Sequence, residues 1–352
     1  MHSGYMWVQQ AADARGFAAR ARPRLDRYPV ESNVLATWLQ AELDGKARAR
    51  TRWWLVSDDA GELIGVGFQV EGYPLQLAPM PPEATGALAA HYAQTGLDLS
   101  GVTGIDDAAR DFAQAWQRIT GAAYRATMAM RIYALGSVAD LEVPGAARLA
   151  GADDADLCHT WLTAFSSEAT PDERRDSLQP MVERRVRHQE LWLWEYDGRP
   201  VSLAGVTAPV AGVARVAPVY TPPVFRRRGF GAAAAAAASR AGLAGGAGRC
   251  MLYTDLANPV SNSIYPRLGY RAVADAVRYS FSAAPTTGSI PLPIQLPTTG
   301  SIPLPATLPA TSPATGPIPL PPSSGTPHFP TPPAGGSGTR HGVPHQATPP
   351  PD

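Results

Sequence analysis

Cysteine is scarce in this chain, with two in 352 residues, and neither Cys158 nor Cys250 sits at metal-binding or redox spacing. A disulfide framework and a Cys-ligated metal centre are therefore not expected; both thiols read as small core residues in a reducing cytosol. Net charge is lacking too. The 30 basic and 30 acidic side chains leave no overall field to recruit nucleic acid or an anionic membrane, and they say nothing about the charge of a substrate. No stretch approaches the ~20 apolar residues of a membrane span. The opening Met-His-Ser-Gly-Tyr-Met-Trp-Val-Gln-Gln has no basic region followed by an apolar run, so no secretory leader is expected. The expectation is a soluble, cytoplasmic protein without a metal.

Proline is abundant, and unevenly so: more than half of the 36 prolines lie beyond Ser282, where only Arg340 and Asp352 are charged. Such a segment has too little apolar content to bury a core. It carries Thr-Thr-Gly-Ser-Ile-Pro-Leu-Pro at Thr286–Pro293 and again at Thr298–Pro305, with a weaker echo at Thr315–Pro321. Residues 283–352 are expected to be disordered or polyproline II, serving as a spacer or as a ligand for an SH3- or WW-like groove.

The remainder divides near Gly145. In residues 1–144 the spacing predicts a helix over Val30–Leu43, strands over Arg52–Ser57 and Leu63–Val70, a short strand near Leu75–Ala78, helices over Glu83–Gln94 and Asp106–Thr120, and a strand over Tyr124–Leu135. In residues 145–282 it predicts helices over Asp153–Phe165 and Asp176–His188, strands over Leu191–Glu195, Val201–Thr207 and Val213–Tyr220, an alanine-rich helix, a strand over Met251–Leu256, and a helix opened by Asn258 and Pro259. The order is similar in both halves. Thr37-Trp38-Leu39 matches Thr160-Trp161-Leu162, and Pro81-Pro82 matches Pro222-Pro223. Two related α/β (α+β) mixed-sheet domains packed together, followed by a disordered tail, are the expected architecture.

The most informative stretch is Val219-Tyr-Thr-Pro-Pro-Val-Phe-Arg-Arg-Arg-Gly-Phe-Gly-Ala232. Pro222 and Pro223 cannot donate to a sheet ladder, so pairing should end there and leave the backbone of Val219, Tyr220 and Thr221 to an extended ligand. Gly229 and Gly231 flank Phe230 and admit close approach of the main chain. The first N–H groups of the following helix lack internal partners, and Arg226, Arg227 and Arg228 add charge, so the turn suits a pyrophosphate. After Pro81-Pro82 the first half has no arginine cluster and no Gly-x-Gly turn; it should not hold such a ligand.

Arg226-x-x-Gly229-x-Gly231 resembles the pyrophosphate loop of the GNAT N-acetyltransferases, (Arg/Gln)-x-x-Gly-x-(Gly/Ala). The downstream run from Asn258 through Asn262 and Tyr265 to Leu268-Gly269-Tyr270 resembles the family's second segment. The resemblance implies a tandem form with a degenerate N-terminal half and a catalytic second half. It implies acetyl-CoA as co-substrate, held by Val219–Thr221, Arg226–Gly231, Asn258 and Asn262. It further implies an amine acceptor in a ternary complex, with Tyr265 as the acid for the departing thiolate. Glu168, in the polar loop after the first helix of the second half, is the candidate base, with Glu195 at a strand end near it as a weaker one; His159 and His188 read as structural. The alternative is an acyl-CoA-binding scaffold that recruits partners through its tail without turnover. Acceptor identity, acyl-chain length and oligomeric state are not legible.

Overall fold

A strand, two helices, three strands, a helix, a strand, a helix and a strand follow one another twice along the chain. In this computed structural model the described residues are 5–46, 49–169 and 177–282, excepting the side chains of residues 260 and 261. The described residues fall within one compact unit; the proline-rich segment lies outside the described residues, as does the expected helix start at Asp176. The first series is β1 (Trp7–Gln10), α1 (Ala14–Arg27), α2 (Asn33–Leu43), β2 (Thr51–Ser57), β3 (Leu63–Val70), β4 (Leu75–Leu77), α3 (Pro82–Thr95), β5 (Gly101–Ile105), α4 (Asp106–Thr120) and β6 (Tyr124–Leu135). The second is β7 (Ala146–Leu149), α5 (Ala155–Ala169), α6 (Gln179–Arg187), β8 (Leu191–Tyr196), β9 (Arg199–Val206), β10 (Val213–Tyr220), α7 (Phe230–Ala244), β11 (Arg249–Asp255), α8 (Pro259–Arg267) and β12 (Arg271–Phe281).

Twelve strands form one sheet in the order β1-β2-β3-β4-β5-β12-β6-β11-β10-β9-β8-β7. Each series gives its last strand to the other. β12 lies between β5 and β6, and β6 lies between β12 and β11, with Arg271–Phe281 of β12 running antiparallel to Tyr124–Ala134 of β6. The centre of the sheet is therefore shared, and so is the core cluster of Val30, Ile132, Ala134, Val213, Met251 and Ala276. Asn33 of α2 also reaches across, donating to the Val213 carbonyl at 3.3 Å.

Three elements fall outside the sequence expectation for the first half. Helix α1 is rich in arginine and contains Pro23, which hides it from a periodicity reading; its buried stripe is Ala14, Phe17, Ala21 and Leu25, and the Asp13 carboxylate caps it by accepting from the Gly16 N–H. Strand β1 is a short, mostly exposed edge. Strand β5 is central but glycine-rich, because a Cβ on Gly101 would sit 2.2 Å from the Tyr279 carbonyl of β12. The Thr-Trp-Leu match proves unrelated to the repeat: Trp38 lies on α2, the second helix of its series, and Trp161 on α5, the first of its own. The proline pairs do correspond, each following the fourth strand of its series, with α3 opening at Pro82 and Pro222-Pro223 preceding α7.

Helix α7 packs an almost purely alanine face on the sheet. Ala232–Ala236 and Ala238 are all buried, against Ala204, Val206, Ala214 and Val216 of β9 and β10. On the opposite face α5 and α6 cover Leu191, Leu193, Leu203 and Tyr220 through Cys158, Trp161, Leu162 and Val182. Leu157 and Phe165 are only partly covered. Burial pushes both cysteine thiols up to about 11, as fits core residues.

Candidate functional site

Parallel strands β10 and β11 begin as neighbours and then part. Val213–Arg215 pair with Arg249–Met251, and there the ladder stops. Beyond it β10 pairs only with β9, while Leu252–Asp255 pair only with β6. A wedge thus opens at the carboxyl ends of two parallel strands, the place where α/β sheets take ligands. The parting begins after Arg215, well before Pro222-Pro223, so those prolines do not start it. Pro218 lies inside β10 and brings no N–H; Val216–Val219 face Val206–Ala204 across a bulge at Ala217-Pro218. Pro222 and Pro223 instead turn the chain through a short 3₁₀ segment, Pro223–Phe225. In the first half the same seam is closed: a Cβ on Gly104 of β5 would meet the Leu77 carbonyl of β4 at 3.1 Å.

The turn after β10 ends at Gly229, whose φ of +82° suits glycine, and α7 begins at Phe230. Ala233 donates to the Gly229 carbonyl at 3.0 Å. Among the described residues, the N–H groups of Phe230, Gly231 and Ala232 bond no backbone carbonyl, which leaves the positive end of α7 facing outward. A Cβ on Gly231 would come within 2.9 Å of the Thr221 hydroxyl, so the turn closes tightly on the strand end.

The three arginines behave differently. Arg228 stacks over Tyr196 at 4.9 Å and Phe230 at 4.8 Å. Arg227 adopts a left-handed φ of +63°. Arg226 donates through Nε to the Thr221 carbonyl at 2.8 Å, lies over the Tyr220 ring, and forms a two-pronged ion pair with Glu168 at 2.8 and 2.9 Å. Glu168 lies in the last turn of α5 and not in a loop, and the Tyr220 hydroxyl also donates to it at 3.4 Å. Both carboxylate oxygens are thus committed to Arg226. Since both side chains are 40–50% exposed, with values of 42% and 49%, the pair is worth less than about 1 kcal/mol. It sets the direction of Arg226 more than it stabilises the fold.

On the Tyr220 and Thr221 carbonyls the structure adds partners that the sequence did not suggest: Ser202 Oγ donates to Tyr220 at 3.0 Å, and Arg226 to Thr221. Val219 lies opposite Ala204 of β9, beyond the last residue of β10 that pairs with β11. Glu195 pairs instead with Arg148 at 2.7 Å, which also holds Asp154 at 2.6 Å. Arg148 keeps the Asp154 carboxyl below the usual carboxylate range. His159 lies on α5 and His188 caps α6.

Past β11, the Asp255 carboxylate accepts from Ala257 N–H at 2.8 Å, and Asn258 precedes α8. Asn262 faces back into the turn. Its Oδ1 accepts from Thr254 at 2.6 Å, and its Nδ2 donates to the carbonyls of Asp255 and Leu256. The amide therefore fixes where α8 starts. One turn later Tyr265 is buried against Tyr133 at 6.2 Å and Tyr270 at 5.7 Å. Its hydroxyl has no hydrogen-bond partner among the described residues, and burial pushes its pKa up to about 12. Tyr133 belongs to β6, so the first half supplies a wall of this site. No local pattern could reveal that, because it follows from the strand exchange. Among the described residues no cluster of His, Cys, Asp and Glu could hold a metal, and no helix is long and apolar enough to cross a membrane.

An opened pair of parallel strands, a basic turn and a helix start with unbonded N–H groups meet at one place in the fold. Residues 155–270 match the model of the Acetyltransferase (GNAT) family. Similar solved structures include an acetyltransferase from the GNAT family of Colwellia psychrerythraea, at 12% identity over 78% of this chain and 100% of that one, TM-score 0.51. A GCN5-related N-acetyltransferase from Sphaerobacter thermophilus aligns at 16% identity over 78% and 94%, TM-score 0.52. A tandem GNAT protein from the clavulanic acid biosynthesis pathway aligns at 12% over 79% and 98%, TM-score 0.50. No curated protein matches the chain. The chain has a tandem GNAT fold, and its second half belongs to the Acetyltransferase (GNAT) family, whose members in general transfer acyl groups from an acyl-CoA.

Proposed function

We propose that this chain is an N-acetyltransferase that uses acetyl-CoA and acetylates a primary amine in a ternary complex. The observation that carries the reading is the meeting of the β10–β11 wedge with three unpaired N–H groups and the arginine turn at the start of α7. Phe230, Gly231 and Ala232 N–H, with Arg226–Arg228 around Gly229, would hold the diphosphate. The edge of Val219–Thr221 that faces the wedge would hold the pantetheine arm, and the co-substrate supplies an acetyl group activated as a thioester. Asn258 and Asn262 act on this arrangement by placing the start of α8.

The acceptor nitrogen forms a bond to the thioester carbon as the carbon–sulfur bond breaks. Tyr265 gives its phenolic proton to the leaving sulfur, and the amine proton leaves to water or to a carboxylate. Glu168 is the proposed carboxylate, and acting so requires it to release Arg226; otherwise it serves by aiming that arginine. Because burial favours the neutral phenol, Tyr265 stays protonated through neutral pH and loses its proton only near about 12.

A Tyr265→Phe protein should release thiol from acetyl-CoA about 100-fold more slowly under saturating amine, with acetyl-CoA affinity by calorimetry within about twofold of the wild type. Wild-type kcat should show no alkaline fall from this group below pH ~11. Unchanged turnover in the phenylalanine protein would remove Tyr265 as the acid. Tight acetyl-CoA binding with no thiol release from the wild type across a broad amine panel would favour the scaffold alternative.

A further inference from the structure

Between α5, α6 and β10 lies a cleft of about 360 Å³. Its walls are apolar at Leu162, Phe165 and Met181, and it reaches Ala217 and Pro218, the residues of β10 just before Val219. Among the described residues three arginines, Arg184, Arg185 and Arg215, line it against one carboxylate, Glu190. Arg185 is 7% exposed. Its Nε donates to Glu190 at 3.1 Å, and Arg184 reaches the same carboxylate at 3.4 Å. The remaining Arg185 Nη2 is buried and has no partner. It lies at the bulge, where a Cβ on Gly205 would meet it at 2.5 Å and the Ala217 carbonyl at 2.6 Å.

Arg215 is left more exposed to an electrostatic deficit. Its backbone N–H and carbonyl are both satisfied by Thr207. Among the described residues its guanidinium has neither a hydrogen bond nor an ion pair; Glu190 and Tyr253 are the titratable groups whose fields reach it. Desolvation lowers the pKa of both Arg185 and Arg215; Arg185 is a buried cation without enough counter-charge, and Arg215 beside it is half-buried. Arginine remains charged in proteins, so neutralising itself is not open to either group. Three cations on one carboxylate call for a further anion, and the planar fork of arginine suits a carboxylate.

We propose that this cleft binds a carboxylate of the acceptor, which makes the acceptor an amino acid or a close relative whose amine and carboxylate lie a few bonds apart. The proposal rests on the acetyltransferase reading for the word acceptor, and the site itself does not depend on it. A ligand anchored at Arg215 and Arg185 lies beside Ala217-Pro218, with its amine free to extend along β10 toward Val219. Apolar walls at Leu162, Phe165 and Met181 would receive the rest of a side chain.

The test is calorimetry on the full chain with the twenty α-amino acids, β-alanine and γ-aminobutyrate, each beside its carboxamide, in the presence of CoA. At least one acid should bind about tenfold or more tightly than its amide, since the amide leaves the arginines unmatched. In Arg215→Gln, checked for folding by circular dichroism, that ratio should fall to within about twofold of unity. If the glutamine variant does not fold, Arg215→Lys, which keeps the charge and loses the fork, is read the same way and should lower the ratio. A panel in which no acid outbinds its amide, or a preference that survives in a folded Arg215 variant, overturns the proposal. Turnover is not read here, so a protein that binds the acid and releases no thiol contradicts the transferase reading and leaves the carboxylate site standing.

Discussion

A Gly229→Asp protein should bind acetyl-CoA at least about a thousandfold more weakly than the wild type while keeping its fold. Two effects act together at this residue. An aspartate carboxylate beside a diphosphate opposes it by about 4 kcal/mol at a separation of 4 Å and an effective dielectric constant near 20, which is about three decades of affinity. The backbone effect is smaller: φ is +82°, and a Cβ would come within 3.0 Å of Val143 Cγ2. A non-glycine residue there costs about 1 kcal/mol or somewhat more. Gly229→Ala separates the two, since it carries the backbone strain without the charge and should lose affinity far less. Calorimetry on both variants, with melting curves to confirm folding, gives the answer. Equal losses in the two would mean that shape and not charge governs the turn.

Residues 145–282 expressed without residues 1–144 should fail to fold. The second half carries the whole arginine turn and both motif segments, and by sequence it reads as a domain. Its sheet is nevertheless incomplete. Removal of β5 and β6 leaves β12 with no neighbouring strand, and leaves β11 paired only through Arg249–Met251. Leu252, Met251, Val277 and Tyr279 would lose buried neighbours from the first half. At about 1.5–3 kcal/mol for each large apolar side chain returned to water, that loss matches the 5–15 kcal/mol that holds an ordinary domain together. Far-UV circular dichroism and gel filtration of the fragment should report an unfolded or aggregated chain, and co-expression with residues 1–144 should restore a soluble complex. A folded, CoA-binding monomer of residues 145–282 would show that the exchanged strands are dispensable.

The parts of this fold legible from residues alone are those whose cause is local. The hairpin through Tyr196-Asp197-Gly198-Arg199 follows from turn chemistry, with Asp197 and Gly198 at φ of +53° and +68°. The basic turn before α7 follows from its glycines and arginines, and the α8 start follows from Asn258-Pro259. What escaped has distant causes. Strand β5 is glycine-rich because β12, some 170 residues later, presses on it, and Tyr133 reaches Tyr265 only because β6 crosses to the other half. Pro222-Pro223 suggest that the wedge starts there, yet the ladder to β11 already ends after Arg215, just before the bulge around Pro218 opposite Gly205. The bond of Glu168 to Arg226 joins α5 to the turn over a gap of 58 residues, and no spacing rule encodes it.

A crystal structure of the full chain with CoA tests the central claim most directly. The diphosphate should lie at the turn from Arg226 to Gly231, accepting from the N–H groups of Phe230, Gly231 and Ala232, with the pantetheine arm between β10 and β11. Nucleotide bound elsewhere on the chain, or an empty wedge at saturating CoA, would contradict it.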